Sequence, residues 1–338
     1  MKLLFYEYIT PGWIHLKPIA EEARKRGHDV TVLTHIYDEP VVKRMLPNLG
    51  ISVTLPEYIE RDGFKVVVCK TAGPKYWEAL RKINPDYIFI AEERRIGFTQ
   101  GYKALQVYHS VARGKFHYPI EQERMAHKFF LAGNIQKRYL SNVLPDRIED
   151  MHVVGFTKFD SLPKKCPKRS SKYTVLYAPT WDDGHTNIDI IGRKIVELSK
   201  DYHVMVKLHD HIITRRGEDW DDFYSNAPVE YIKDFNILES ILKCDIMISD
   251  ASSCILEALI LGKPVVVLRK PGDKIIPNSP RIEIEPLLYY TKTFEQIKIL
   301  LKKRPEQRAY TKRITKEFCR EGRASPRILD IVERNFNK

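Results

Sequence analysis

Cysteine is scarce in these 338 residues: Cys69, Cys166, Cys244, Cys254 and Cys319 are odd in number, scattered, and nowhere spaced as C-x-x-C. That usage excludes a disulfide framework and a zinc knuckle, and it suits a reducing cytosol. No apolar run reaches the roughly 18 residues that a membrane span requires. The opening Met1-Lys2-Leu3-Leu4-Phe5-Tyr6-Glu7-Tyr8 meets an acid and then Pro11 too early for the core of a signal peptide. Neither spanning nor export by that route is expected. Internal repeats and low-complexity tracts are also missing, which sets repeat architectures aside.

What is present is enough apolar material, 43% hydrophobic and 11% aromatic residues, to build about two cored domains at this length. Lysine and arginine outnumber acids by 56 to 44, a net charge of +12. Such an excess favours nucleic acid, an anionic membrane surface or a phosphorylated ligand, and charge alone does not choose among them. The basic tail holds Lys302, Lys303, Arg304, Arg308, Lys312, Arg313, Lys316, Arg320, Arg323 and Arg327 with few interleaved aromatics. It therefore argues against a nucleic-acid platform and leaves a solvated helix face or a basic helix on anionic lipid.

The chain is organised around residues 246–268, where the apolar strand Ile246-Met247-Ile248-Ser249 runs into Asp250, Ser252 and Ser253. An apolar helical segment follows, then Gly262, Pro264 and the β-branched strand from Val265. Ser252 or Ser253 is a good N-cap, Gly262 sits where a left-handed residue ends a helix, and Pro264 forbids continuation. A helix so capped aims free N–H groups and its positive dipole end at the sheet mouth, where a phosphate can sit. The alternative is a plain βαβ unit whose serines only cap.

On either side the same rhythm repeats. Strands are expected at Leu3–Tyr8, Val30–Thr34, Val66–Cys69, Tyr87–Ala91, Leu105–Tyr108, Phe129–Leu131 and His152–Val154, with helices through Lys25 and over Lys75–Ile83. Gly12 should let the backbone turn tightly before the first helix. The proline-bearing basic stretch Leu162–Lys172 reads as a linker. Beyond it come strands at Thr174–Ala178, His203–Leu208 and Asp245–Ser249, with helices over Ile188–Lys200 and Ile237–Leu242. Alternating strand and helix means α/β architecture: two doubly wound, Rossmann-like domains, 1–162 and 173–304, facing a central cleft, followed by a basic helical segment 305–338.

Three strand-end loops bring polar groups to that cleft: Tyr108-His109-Ser110, Pro179-Thr180-Trp181-Asp182-Asp183 and Lys207-Leu208-His209-Asp210-His211. Histidine exchanges a proton near neutral pH without large perturbation, so His109 and His209, one on each lip, form a usable acid–base pair against the alternative of two solvated strand ends. His209 and His211 share one face of a strand, and with His185 or Asp183 they offer a zinc site that no third fixed ligand supports.

Gly12-x-x-His15-x-x-Pro18 with Arg26-Gly27-His28-Asp29-Val30-Thr31 resembles the opening of nucleotide-sugar glycosyltransferases of the two-domain GT-B fold. Leu176-Tyr177-Ala178-Pro179-Thr180-Trp181, Val206-Lys207-Leu208-His209 and Ile248-Ser249-Asp250-Ala251-Ser252-Ser253 with Glu257 and Gly262-Lys263-Pro264 resemble the CDP-glycerol glycerophosphotransferases, the teichoic-acid primases and polymerases. Gln106-Val107-Tyr108-His109 is similar to that family's strand ending in a catalytic histidine, and Gly155-Phe156-Thr157-Lys158-Phe159-Asp160 to its Gly-x-Pro-Arg-x-Asp segment. Ser110, Asp182 and Asp210 stand where the family has glycine, arginine and proline.

The resemblance implies a GT-B transferase of cell-wall or surface-polymer synthesis. It would move a polyol phosphate, glycerol phosphate first, from a CDP-alcohol donor to a hydroxyl of a lipid-linked acceptor with release of CMP. His109 would match the general base. His209, Ser252 and Ser253 would match the diphosphate set, with Thr180, Trp181, Lys207 and Asp250 beside them on the donor side. Glu257 either accepts from ribose hydroxyls or is a first-turn acid that the helix dipole favours. The sequence fixes no cofactor, and carboxylates in place of a cation make room for Mg2+ offsetting Asp182 or Asp183. The enzyme would work in the cytoplasm, held peripherally on the anionic inner face of the cell membrane and without a nucleic-acid partner. Two other functions are carried alongside: a GT-B glycosyltransferase using a nucleotide sugar, and a non-catalytic anion- or RNA-binding protein, which leaves the two histidines unexplained.

Overall fold

The structure, a computed structural model, describes residues 1–7, 10–35, 59–60, 62–69, 74–91, 97, 99, 101–108, 120–163, 165, 167–168, 170–181, 183–209, 211–213, 219–234, 236–272, 284–306 and 322–336. The first half comprises β1 (Lys2–Tyr6), α1 (Thr10–Lys25), β2 (Asp29–His35), β3 (Lys65–Cys69), α2 (Pro74–Ile83), β4 (Tyr87–Ile90), β5 (Ala104–Val107), α3 (Ile120–Arg124), β6 (Lys128–Leu131), α4 (Asn134–Val143) and β7 (Met151–Val153). Its seven strands pair in the order β3-β2-β1-β4-β5-β6-β7, every ladder parallel. The second half comprises β8 (Thr174–Tyr177), β9 (His203–Val206), α5 (Asp219–Ser225), β10 (Glu230–Tyr231), α6 (Leu238–Lys243), β11 (Ile246–Ser249), α7 (Cys254–Ile260), β12 (Val265–Leu268), β13 (Tyr289–Thr291) and α8 (Phe294–Lys302), and α9 (Ala324–Phe336) closes the chain. Its six strands run β10-β9-β8-β11-β12-β13, again all parallel.

Strands such as Tyr87-Ile88-Phe89-Ile90 and Val265-Val266-Val267-Leu268 are buried along their whole length. That is the continuous apolar run expected of a parallel sheet covered on both faces. In each sheet the strand order reverses once, between β1 and β4 and between β8 and β11, which opens a crevice at the carboxyl edge. The described part of Leu162–Lys172 has no regular structure.

Two local expectations change. The helix expected over 188–200 is a π turn (Ile188–Gly192) followed by a 3-10 helix (Arg193–Lys200). The Gly192 carbonyl accepts from the Tyr224 hydroxyl at 2.6 Å, and a Cβ on Gly192 would stand 2.9 Å from the Trp220 ring, so packing against α5 displaces regular α geometry here. Gly12 lies inside α1 rather than in a turn before it, and its missing Cβ leaves room for Glu7: a Cβ there would fall 1.9 Å from Glu7 Oε2. The basic C-terminal segment is represented here by α9, which lies against the first half. Its Ile328, Leu329 and Val332 join the core of α1 and β1, Arg26 pairs with Asp330 and Glu333, and Arg327 donates to the Val154 carbonyl at 3.0 Å.

One core cluster belongs to both halves. Ala132, Ile135, Phe156 and Phe159 pack with Leu176, Met247 and the residues of α7 other than Glu257. All seven residues of α7 are buried, because this helix has the second sheet on one side and the first half on the other.

Candidate active site

The carboxyl edge of the second sheet gathers what the sequence singled out. Tyr177 of β8 lies beside Ile248 of β11, so the loops that leave these strands start level with each other at the switch point. Asp250 is fully buried between them. Its Oδ1 accepts from Thr180 N at 2.9 Å and Ala251 N at 2.6 Å, and its Oδ2 from Asn187 N at 3.0 Å and Thr180 N at 3.1 Å. The carboxylate therefore spends its lone pairs on loop amides and shapes the backbone on which Thr180 and Trp181 are carried.

Asn187 completes the brace. It is fully buried, its amide donates to the carbonyls of Ser249 at 3.2 Å and Leu268 at 2.9 Å, and its oxygen accepts from the Tyr177 hydroxyl at 2.8 Å. One side chain thus fastens the ends of β8, β11 and β12. In the sequence it looked like nothing more than a polar residue before the apolar Ile188, although position 187 does stand at the N-cap of the π turn and makes no side-chain cap there.

His209 and His211 do not share a strand face, because β9 ends at Val206 and the chain turns, with Ile212 N donating to the His209 carbonyl at 2.8 Å. The two imidazoles stack at 5.4 Å and 21°, and Trp181 lies 6.1 Å from His209 and 5.1 Å from His211. His211 N donates to His209 Nδ1 at 3.2 Å, which puts the proton of neutral His209 on Nε2 and makes that nitrogen a donor. Lys207 is buried and folds its ammonium onto the Leu208 carbonyl at 3.0 Å. Among the described residues no group of three or more His, Cys, Asp or Glu side chains comes together to hold a metal; Asp182 and Asp210 lie outside them.

Ser252 is nearly buried and Ser253 occupies the N-cap of α7, but Ser253 makes no side-chain capping bond. The serine cap expected from the sequence is not made by that residue, since its backbone is already helical and the first turn is tightened by Leu256 N donating to the Ser253 carbonyl. Ser252 Oγ accepts from the Cys254 thiol at 3.0 Å, and burial pushes that thiol up to about 12. The C-terminal end follows expectation: Gly262 has φ +80°, Gly262 N donates to Leu259 O and Lys263 N to Ala258 O, a Schellman closure. Lys263 Nζ caps α6 through the carbonyls of Leu242 and Cys244.

Glu257 is ion-paired with Lys158 from the first half, Nζ to Oε2 at 2.9 Å. Lys158 stands in the Gly155–Asp160 segment, where the sequence marked a family pattern without assigning the lysine a role. Also unread was Lys270, whose ammonium donates to the Asp183 carbonyl and links the β12 and β8 loops. His109 lies outside the described residues; Tyr108 before it is buried, with its hydroxyl donating to the buried Glu123 at 3.1 Å.

Residues 147–273 match the model of the CDP-Glycerol:Poly(glycerophosphate) glycerophosphotransferase family. No curated protein matches the chain. Among solved structures, a variant of the wall teichoic acid polymerase TagF is similar at TM-score 0.70 and 16% identity, covering 99% of this chain and 89% of that one. A TagF variant soaked with CDPG gives 0.66 and 15% over 99% and 89%. The UDP-GlcNAc 2-epimerase from Neisseria meningitidis bound to UDP-GlcNAc gives 0.64 and 16% over 99% and 100%. At these identities the structures speak to the fold, which is GT-B, as expected from the sequence. The family match falls on the three second-half motifs from which the resemblance was read and bears that resemblance out. No helix among the described residues is long and apolar enough to cross a membrane.

Proposed function

We propose, for a chain whose residues 147–273 match the model of the CDP-glycerol:poly(glycerophosphate) glycerophosphotransferase family, that it transfers glycerol phosphate from CDP-glycerol to a hydroxyl of a lipid-linked acceptor and releases CMP. The observation that carries this reading is the coincidence of the matched segment with one braced sheet edge. Thr180, Trp181, His209, Asp250 and Ser252 all lie within residues 147–273 and at or just beyond the carboxyl ends of adjacent parallel strands.

In this reaction the acceptor oxygen attacks the β-phosphorus as the bond from that phosphorus to the CMP oxygen breaks. His109 takes the acceptor proton. His209 donates from Nε2 to the diphosphate as charge grows on the departing CMP, and the backbone around Ser252 and Ser253 supplies further donors. Asp250 and Asn187 act one step back, holding the donor loops so that no reorganisation is needed when charge develops. A Mg2+ requirement is read out by chelation. The enzyme meets its acceptor at an anionic membrane surface through its positive charge.

The test is incubation with CDP-glycerol, CDP-ribitol and common nucleotide sugars while nucleotide release is followed. CMP from CDP-glycerol supports the reading; UDP from a nucleotide sugar with no CMP from either CDP-alcohol rejects it.

A further inference from the structure

The Lys158–Glu257 pair is unusual for where it lies. Both side chains are 8% exposed, and among the described ion pairs no other has both partners below a tenth. The partners are 99 residues apart and come from opposite halves of the chain. Buried ion pairs contribute little net stability compared with apolar side chains of similar volume, and the same interface already has Phe156 and Phe159 against α7, so stability is a weak reason for charge here.

Lys158 is held from several directions. It sits in the 3-10 turn Thr157–Ser161, where Ser161 Oγ donates to its carbonyl at 2.7 Å. Two residues on, Asp160 accepts from Ala324 N at 3.0 Å and Ser325 N at 2.6 Å at the start of α9. The ammonium thus rests on a braced turn and reaches across to the first turn of α7. Only Glu257 Oε2 is engaged; Oε1 takes no hydrogen bond among the described residues. Glu257 is three residues beyond Cys254, about 5 Å along the helix axis, comparable with the step from a nucleotide's phosphates to its ribose.

We propose that Lys158 is a positioning residue that holds the Glu257 carboxylate in place to receive the ribose 2′,3′-diol of the bound nucleotide. The inference rests on the donor reading above only in requiring a ribonucleotide at this edge. A fixed carboxylate accepting from two hydroxyls discriminates a ribose from its dideoxy analogue, and a carboxylate released from Lys158 swings and loses that discrimination.

The experiment is titration of CDP and 2′,3′-dideoxy-CDP into the wild type, Glu257→Gln, Lys158→Arg and Lys158→Met, with a thermal melt of each. Wild type should prefer CDP by on the order of tenfold or more, the scale of hydrogen bonds to a charged group. The ratio should fall toward about two in Glu257→Gln and Lys158→Met and be largely kept in Lys158→Arg. If Lys158→Met does not fold, Lys158→Gln, which keeps a donor without the charge, should give an intermediate ratio. A Lys158→Met or Lys158→Gln protein that retains the full ratio would make the lysine a packing residue only. A wild-type ratio near one would remove Glu257 from the ribose and overturn the inference, while turnover of CDP-glycerol would leave the donor reading standing. Conversely, no turnover of CDP-glycerol together with a Lys158-dependent ratio for UDP over dideoxy-UDP would reject the donor and keep the inference.

Discussion

Asp250→Asn separates two roles for the most buried carboxylate of the site. The wild-type carboxylate has no exposed surface and receives N–H groups from Thr180, Asn187 and Ala251. An asparagine must put its NH2 where one oxygen stood. At Oδ1 it strands Ala251 N, and at Oδ2 it strands Asn187 N; Thr180 N keeps one acceptor either way. One stranded buried N–H costs about 1–3 kcal/mol, and turning the surviving charge-assisted bonds into neutral ones costs about 1 kcal/mol more. A total of roughly 2–4 kcal/mol corresponds to a melting temperature lowered by about 5–15 °C at the 2–4 °C per kcal/mol usual for domains of this size. Differential scanning calorimetry, with and without CDP, reads both consequences, and Asn187→Ala should fall short of additivity with Asp250→Asn because the two residues share one network. A variant that melts within about 2 °C of wild type yet no longer binds CDP would refute the bracing role and put Asp250 on the donor itself.

Four further outcomes are expected. His109→Ala should abolish turnover and leave CDP-glycerol affinity within a few-fold, whereas His209→Ala should weaken both, so calorimetric titration beside rate assays distinguishes base from phosphate ligand. Gly12→Ala should lower stability by about 1–3 kcal/mol in urea melts because its Cβ collides with the buried Glu7 carboxylate, and a concurrent Glu7→Ala should recover much of the loss; equal losses in both proteins would mean that Glu7 is not the obstacle. Burial, reinforced by Lys128, holds the His127 and His152 imidazoles below the usual histidine range. The unfolded chain then binds protons that the native one refuses, so this contribution is complete above the ordinary histidine pKa and is lost as pH falls below it; the melting temperature should drop on that side of a pH series, and less so in a His127→Gln, His152→Gln protein. Sedimentation with anionic vesicles should occur at low salt, hardly at all with neutral vesicles, and should reverse as salt rises to several hundred millimolar, roughly where the Debye length falls toward 3–5 Å; retention on neutral vesicles at high salt would point to an apolar anchor instead.

Local pattern alone determined a good deal. Runs of β-branched and aromatic residues alternating with helical segments specified two parallel sheets and brought the boundaries of the expected strands to within a residue or two, because a strand buried on both faces needs nothing but apolar side chains of the right shape; the short, half-exposed edge strands β10 and β13 carry no such run and were not anticipated. Gly262 before Pro264 marked the end of α7 for a reason that is equally local, the left-handed backbone a Schellman closure requires. Recurring polar motifs at strand ends were enough to indicate the family resemblance. Only the tertiary structure decided how those polar groups are used. Asp250 turns to amides of its own and a neighbouring loop, Asn187 joins three strand ends instead of capping the turn that follows it, and His209 meets His211 through a turn rather than across a strand. Gly12 is small because of Glu7, and Glu257 has its partner 99 residues away in Lys158. Each of these depends on which strands lie side by side and on how α7 and α9 dock against the first half, and hydrogen-bond partners fixed by such non-local register leave no periodic trace along the chain.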